Sequence, residues 1–334
     1  MSTTLCGTSS LAETFRAHPN RRYIEFGGKG GLGKTTFSAA TAYWLAQQGQ
    51  KVLVFSVDPQ ASLSDIFERD IFGKGPVEIT HNLFAQEIDA DRHIKDYQEE
   101  IRKKILDMYG LEKVPDEIED YIQAAAAEPA MEESAIFDAV VDIVVGRDYD
   151  YYIYDLVPLG HALYYLSMAS IYDEWIEKIT KLREEMQEYS QVAAIMERKK
   201  ESEEDQILAE LQDIRQRINV SSGILTDREK TAFFFVVTPE EMIILDTQKA
   251  AGLFAKYQVP ICGYIVNRVV PPQLAQQNIP EYLRNRIAMQ ERYLKKIDET
   301  FGAGVLARVP EFERDITGME MIAKVADSLF GGGA

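Results

Sequence analysis

The sequence predicts an α/β fold with a doubly wound, mostly parallel sheet and helices on both faces. Short runs of β-branched and aromatic residues recur along the chain, helix-type patterns separate them, and a glycine-rich turn joins the first run to a helix pattern. Two long charged stretches without strand signals, residues 91–145 and 173–227, interrupt this alternation. We therefore also expect an α-helical subdomain that is inserted in two stretches.

Taken in order, the strand-like runs alternate with helices as a doubly wound sheet requires. The helix pattern after the glycine-rich turn spans residues 35–48 and is closed by Gly49. The core is expected to comprise residues 20–90, 146–172 and 228–330, with the two insertions forming the helical subdomain. The predicted strands are residues 22–26, 52–57, 83–88, 151–155, 232–237, 261–266 and 305–309.

Composition narrows the class of protein. The 334 residues include 54 acidic and 36 basic side chains, and the net charge of −18 argues against a nucleic-acid-binding surface. No apolar run reaches the ~18 residues that a membrane span needs, and the N-terminus lacks the apolar run of a secretory signal. We expect a cytoplasmic protein that is not an integral membrane protein.

The cysteine content predicts neither a disulfide framework nor a zinc site. The only two cysteines, Cys6 and Cys262, are far apart and form no C-x-x-C motif. Cys262 lies in an apolar run and is expected to be a buried core thiol.

The glycine-rich turn carries the main functional signal. Residues 27–36 read G-G-K-G-G-L-G-K-T-T, which contains the P-loop pattern G-x-x-x-x-G-K-[ST]. Glycines let backbone N–H groups surround the β- and γ-phosphates, and the following helix adds its positive N-terminal end. Lys34 is expected to neutralise phosphate charge, and the Thr35 hydroxyl to bind Mg²⁺. The sequence therefore predicts an ATPase that uses ATP and Mg²⁺.

Carboxylates follow two of the predicted strands. Asp58 follows the second strand in S-V-D-P-Q, where it can orient the attacking water. Asp155 ends the fourth strand in Y-I-Y-D and is the candidate Mg²⁺ ligand, directly or through water. Gly160, five residues later, lies where a backbone N–H can sense the γ-phosphate.

Lys29 makes the loop more specific. A second lysine early in the loop, in K-G-G-x-G-K-T, is typical of the deviant Walker A class, whose members dimerise on ATP. Membership of that class implies that Lys29 crosses the interface to the partner's phosphates, much as an arginine finger does. A homodimer is therefore expected, and Lys29, Asp58 and Lys34 are the predicted catalytic residues.

In order and over nearly the whole length, these residues resemble the family of arsenite-pump ATPases and tail-anchored-protein-targeting ATPases. That family has G-G-K-G-G-V-G-K-T-T, S-T-D-P-A-H-S-L-S-D and D-T-A-P-T-G-H-T where this chain has residues 27–36, 56–65 and 155–162. In the last segment, apolar residues replace the family's threonines. Residues 129–133 and 238–241 match further family segments.

The resemblance also implies how the base is bound. In the family, the asparagine of V-N-x recognises adenine, and Asn267 stands at that position here. The segment V-P-E-F, residues 309–312, corresponds to the loop that flanks the base. Taken together, the predicted nucleotide-binding residues are Gly28, Gly30, Gly31, Leu32, Gly33, Lys34, Thr35, Thr36, Gly160, Asn267, Pro310, Glu311 and Phe312.

Three functions stay open from the sequence. In a targeting ATPase, the helical insertions of two subunits would form an apolar groove for a hydrophobic transmembrane-segment client delivered to a membrane receptor; residues 124–127, Met131 and residues 176–186 are candidates for its lining. An arsenite or anion pump is the first alternative, although arsenite usually needs three thiolates. A partition or positioning ATPase is the second, but the acidic charge disfavours its DNA or membrane contacts. Family members that dimerise through zinc carry C-x-x-C shortly after the adenine asparagine; residues 280–283 lack it, so no zinc is expected.

Overall fold

The computed structural model describes residues 10–57, 62–109, 113–114, 119, 136, 139–155, 212, 215–217, 219–220 and 222–331. The strands of these ranges form one eight-stranded sheet. They are β1 (Tyr23–Gly27), β2 (Val52–Ser56), β3 (Val77–Thr80), β4 (Leu83–Glu87), β5 (Tyr151–Asp155), β6 (Thr231–Val237), β7 (Ile261–Val269) and β8 (Val305–Pro310). The helices are α1 (Leu11–Ala17), α2 (Lys34–Gln47), α3 (Ser62–Phe67), α4 (Ala90–Tyr109), α5 (Glu241–Lys256), α6 (Glu281–Phe301) and α7 (Gly318–Phe330).

The strand order is β3-β4-β2-β5-β1-β6-β7-β8, and every pair except β3–β4 is parallel. β1 lies near the centre, between β5 and β6. The glycine-rich turn of residues 27–36, called the glycine loop from here on, follows the carboxyl end of β1 and is therefore flanked by the ends of β5 and β6. Carboxyl ends of parallel strands share one edge of the sheet, which is where open α/β folds bind ligands. The predicted mostly parallel sheet is confirmed.

Helices cover both faces of the sheet because its central strands are apolar on both sides. On one face, Trp44 of α2 stacks on Phe330 of α7 with ring centroids 4.2 Å apart, and Phe15 of α1 packs against both. On the other face, Phe254 of α5 lies 4.4 Å from Phe233 of β6, centroid to centroid. The predicted doubly wound arrangement is therefore confirmed.

The elements that were not predicted include β3 and α1. β3 is a short antiparallel edge strand whose sequence, V-E-I-T, alternates apolar and polar residues after a glycine-rich turn. α1 begins at a Ser10 N-cap, whose hydroxyl accepts the Glu13 N–H at 3.2 Å. The expectation for Cys262 is half right: the residue is buried in β7, 1% exposed, but its sulfur is disulfide-bonded rather than a free thiol.

The division into a core and an inserted helical subdomain stays a prediction. α4 begins at Ala90, where the first insertion was expected, and is 20 residues long. Residues 139–145 are also helical, and Val140, Val141 and Val144 belong to the same hydrophobic core as the sheet. Most of the second insertion, and the candidate groove residues, lie outside the described ranges. Among the described helices, none has the length and apolarity needed to cross a membrane.

Candidate nucleotide site

The glycine loop has a backbone that other residues would not adopt. Gly28 has φ +154°, and a Cβ added there would lie 2.8 Å from the carbonyl oxygen of Val236 on β6. Gly33 has φ +98° and stands at the N-cap of α2; a Cβ there would lie 2.5 Å from the side-chain nitrogen of Asn267. Glycine is therefore required at both positions, one for its close contact with β6 and the other for its turn into the helix.

α2 presents an anion-binding end to this edge of the sheet. The helix spans 14 residues, has no acidic residue in its first turn, and has no side-chain cap, since Gly33 is the N-cap. The first N–H groups of the helix are therefore open to a ligand, and the helix dipole favours a negative one. Lys34, in the first turn, donates to the Lys29 carbonyl oxygen at 3.3 Å, which places its ammonium across the loop. Lys34, Thr35 and Thr36 thus form the first turn of this helix, and their role in phosphate binding stays a prediction.

Thr35 and Asp155, the two predicted Mg²⁺ ligands, meet at the end of β5. The Thr35 hydroxyl donates to Asp155 Oδ2 at 2.6 Å, and Ser38, one turn further along α2, donates to Oδ1 at 3.3 Å. Within the described ranges, no group of three or more His, Cys, Asp or Glu side chains is placed to hold a metal ion. A hydroxyl and a carboxylate nevertheless fit Mg²⁺, which commonly takes one or two protein oxygens and completes its shell with water and substrate phosphates.

A comparison of Thr35 and Ser38 tests this assignment. Thr35→Ala removes the hydroxyl nearest the phosphate loop, so we expect the Mg²⁺ concentration for half-maximal ATPase activity to rise at least about tenfold. Ser38→Ala, the matched control, removes only the longer bond to the same carboxylate and should change that concentration less than about threefold. Equal effects of the two substitutions on a Mg²⁺ titration would contradict a direct ligand role for Thr35.

Lys29 points out of its own loop. Its ammonium lies 3.3 Å from Asp246 Oδ2 on α5, and the two side chains are 57% and 40% exposed. An exposed ion pair of this kind contributes only ~0–1 kcal/mol. Asp246 therefore holds Lys29 weakly in the single chain, and a stronger anion can displace it.

Asn267 contacts the loop itself. It is buried at the end of β7, where its Nδ2 donates to the Leu32 carbonyl oxygen at 2.8 Å and its Oδ1 accepts the Arg268 N–H at 2.8 Å. The segment predicted to flank the base lies beside it, since the Glu311 N–H donates to the Val269 carbonyl oxygen at 3.1 Å.

A cleft of about 260 Å³ opens at the ends of β6 and β7. The cleft is lined by Thr238, Pro239, Glu240, Arg268, Arg286, Met289 and Gln290. Adenine recognition by Asn267, and by Pro310, Glu311 and Phe312, stays a prediction.

Asp58 and Gly160 lie outside the described residues, but the elements that border Asp58 are described. β2 ends at Ser56, in register with Asp155. α3 follows, and the buried Glu87 of β4 accepts hydrogen bonds from the Leu63 N–H at 2.6 Å and the Ser64 N–H at 3.2 Å. Burial raises the pKa of Glu87 above its ordinary value, against these hydrogen bonds, which favour the charged form. The end of β2 and the start of α3 are thus held beside the candidate site.

Glu25 is an acidic residue buried in β1, beneath the loop. Its register neighbours are Tyr154 of β5 and Phe233 of β6, and it is 5% exposed. Burial raises its pKa from 4.5 to about 8. The carboxyl is therefore mainly protonated at neutral pH and adds little negative charge below a site that must accept phosphates.

Ser38, Arg268, Asp246 and Glu87 are among the positions near the site that were not predicted from the sequence. Ser38 could have been found, because it stands three residues after Thr35 on the same helix face. Arg268, Asp246 and Glu87 are brought to the site only by the tertiary fold, and no local pattern marks them.

The chain is similar in sequence to known ATPases. The model of the anion-transporting ATPase family matches residues 21–331. A putative arsenical pump-driving ATPase of Aquifex aeolicus is 31% identical over 312 residues, covering 92% of this chain and 99% of the relative. The ATPase get3 of Pyrenophora tritici-repentis is 28% identical over 313 residues, covering 92% of this chain and 91% of the relative. ATPase GET3C of Arabidopsis thaliana is 30% identical over 266 residues, covering 75% and 68%. The chain is an ATPase and belongs to the anion-transporting ATPase family.

Proposed function

We propose that this ATPase is a homodimeric switch in which ATP binding joins two chains and changes the arrangement of a helical subdomain that binds hydrophobic membrane-protein segments. The observation that carries the proposal is the position of Lys29. Lys34 already serves the loop of its own chain, whereas Lys29 extends outward to an exposed partner, Asp246. A phosphate group of a second chain would attract Lys29 more strongly than one exposed carboxylate does.

In the proposed reaction, the residues of the chain bind the phosphates, orient the attacking water and neutralise the phosphate charge. The N–H groups at the start of α2 and the Lys34 ammonium hold the phosphates, and Thr35 with Asp155 would hold Mg²⁺, which neutralises charge on the phosphate oxygens. Asp58 orients the attacking water, a role supported by the end of β2 beside Asp155. Lys29 of the second chain stabilises the charge that develops on the transferred phosphoryl group.

The client is proposed from the resemblance to targeting ATPases, together with two get3-type relatives. The long α4 helix at the start of the first insertion supports a helical client-binding subdomain. Metalloid pumping, the alternative that the name of the Aquifex relative suggests, is disfavoured by the cysteines. The chain has two, and Cys262 is buried and disulfide-bonded.

A protection assay tests the client proposal. The purified protein is mixed with a labelled synthetic transmembrane helix, with ADP or with a non-hydrolysable ATP analogue, and aggregation of the helix is followed by light scattering. We expect protection with the ATP analogue, none for a helix with two central lysines, and none for the Lys34→Ala protein. Aggregation in every nucleotide state would contradict a client role. Turnover stimulated by arsenite but not by the helix would favour the pump, and salt-dependent DNA binding would favour a positioning ATPase.

A further inference from the structure

The end of β7 has an unusual backbone at Arg268. The residue has φ +57°, and of the described non-glycine residues with positive φ it is the one inside a strand; Glu68, Asn82 and Gln258 lie in turns. The β7–β8 register also shifts between Val266 and Val269, so the strand is irregular at this point. A left-handed conformation is unfavourable for any residue with a Cβ, arginine included. Such a cost persists where the surrounding contacts require it.

Two side chains at this point donate hydrogen bonds to the glycine loop. Arg268 Nη2 donates to the Gly31 carbonyl oxygen at 2.9 Å, and Asn267 Nδ2 donates to the next carbonyl oxygen, that of Leu32, at 2.8 Å. The Asn267 Oδ1 in turn accepts the Arg268 N–H at 2.8 Å, which ties the two side chains together. Two consecutive loop carbonyls are therefore held from one strand end.

Holding these carbonyls also orients the loop's N–H groups. In a trans peptide plane the C=O and N–H bonds point in opposite directions, so fixing the Gly31 and Leu32 carbonyls turns the N–H groups of Leu32 and Gly33 away from β7. Inward-facing N–H groups are what a phosphate-binding loop needs. We propose that Arg268 is a positioning residue of this ATPase, whose guanidinium keeps the glycine loop in its phosphate-binding conformation.

Arg268 also lines the 260 Å³ cleft at the ends of β6 and β7, where it would contact a bound base rather than the loop. A residue that acts on the loop affects any ligand with a triphosphate, whereas a residue that acts in the cleft affects only ligands with a base. Inorganic tripolyphosphate and ATP therefore separate the two roles.

The test measures binding of magnesium tripolyphosphate and of ATP by calorimetry, together with kcat, KM and denaturant unfolding. Arg268→Gln should raise the Kd of both ligands by the same factor, about tenfold, because one charge-assisted hydrogen bond is lost. The KM for ATP should rise together with the Kd, while kcat changes less. Arg268→Lys should recover part of the affinity. Arg308→Gln, on β8 and paired with Asp298, is the matched control and should bind both ligands normally.

Arg268→Gly separates this role from a role in stability. Glycine adopts φ +57° without strain, which offsets its greater freedom in the unfolded chain, so this variant should be about as stable as the parent chain and should still lose tripolyphosphate affinity. Unchanged tripolyphosphate binding in Arg268→Gln would overturn the proposal, as would a loss confined to ATP. A loss of binding that occurs only in variants with a lowered free energy of unfolding would overturn it as well.

Discussion

Replacing Lys29 with alanine should lower ATP turnover by about three orders of magnitude while leaving ATP affinity within about threefold of the parent chain. The reason is geometric. The Lys29 side chain points away from its own loop, toward Asp246. Lys34 stays at the loop, where it can neutralise bound phosphates. Removing an interaction that is much stronger in the transition state than with bound ATP lowers kcat far more than it lowers ATP affinity. Single-turnover hydrolysis and nucleotide binding measured on the same preparations check the expectation.

Asp246→Asn is the matched control for Lys29. It removes the resting partner of the lysine and keeps the lysine itself, so turnover should stay unchanged or rise by up to about fivefold, the equivalent of one exposed ion pair. A fall in turnover comparable to that of Lys29→Ala would show that the ion pair, rather than the free lysine, is the active arrangement.

Replacing Glu25 with glutamine should stabilise the folded chain by about 3 kcal/mol at pH 7. The folded pKa of about 8 exceeds the ordinary value of 4.5, so the folded chain retains a proton that the unfolded chain releases. Above pH 4.5 the unfolded state binds fewer protons than the folded state, and the stability of the parent chain falls as pH rises. The fall ends near pH 8, where its total is ~5 kcal/mol.

Denaturant unfolding at pH 5, 7 and 8.5 measures this difference. The gain in Glu25→Gln over the parent chain should be small at pH 5 and largest at pH 8.5. Glu78→Gln is the control, since Glu78 is exposed on β3 and its replacement should leave the pH profile of the parent chain unchanged. A gain that is constant with pH would show that Glu25 does not carry the buried proton.

Local sequence explains which parts of the fold were predictable. β5, with Y-Y-I-Y-D, was predicted with its observed bounds, because a short aromatic and β-branched run between polar residues is typical of a buried parallel strand. β3 was missed because V-E-I-T is short and half polar, and its pairing depends on the neighbouring β4. The disulfide of Cys262 was missed because cysteine spacing carries no information on distant pairing.

The candidate site likewise contains residues that local sequence predicts and contacts that depend on the tertiary fold. Thr35 and Asp155 were predicted as a pair, because the P-loop motif and a carboxylate at a strand end each have a known place in a parallel sheet, and their oxygens lie 2.6 Å apart. The bond of Arg268 to Gly31 and the ion pair of Asp246 with Lys29 join residues more than 200 positions apart. Such contacts depend on the packing of β7 and α5 beside the loop, which no local pattern specifies.

The central claim is that each ATPase site is completed by Lys29 of the second chain. Mixing two inactive variants tests it most directly. In a dimer of Lys29→Ala with Asp58→Asn, the Lys29→Ala chain keeps its own Asp58 and receives Lys29 from the other chain, so one site is complete. Random exchange gives about half mixed dimers with one complete site in two, and turnover should recover to about a quarter of the parent value. A mixture no more active than the mean of the two variants would contradict a site completed by a second chain.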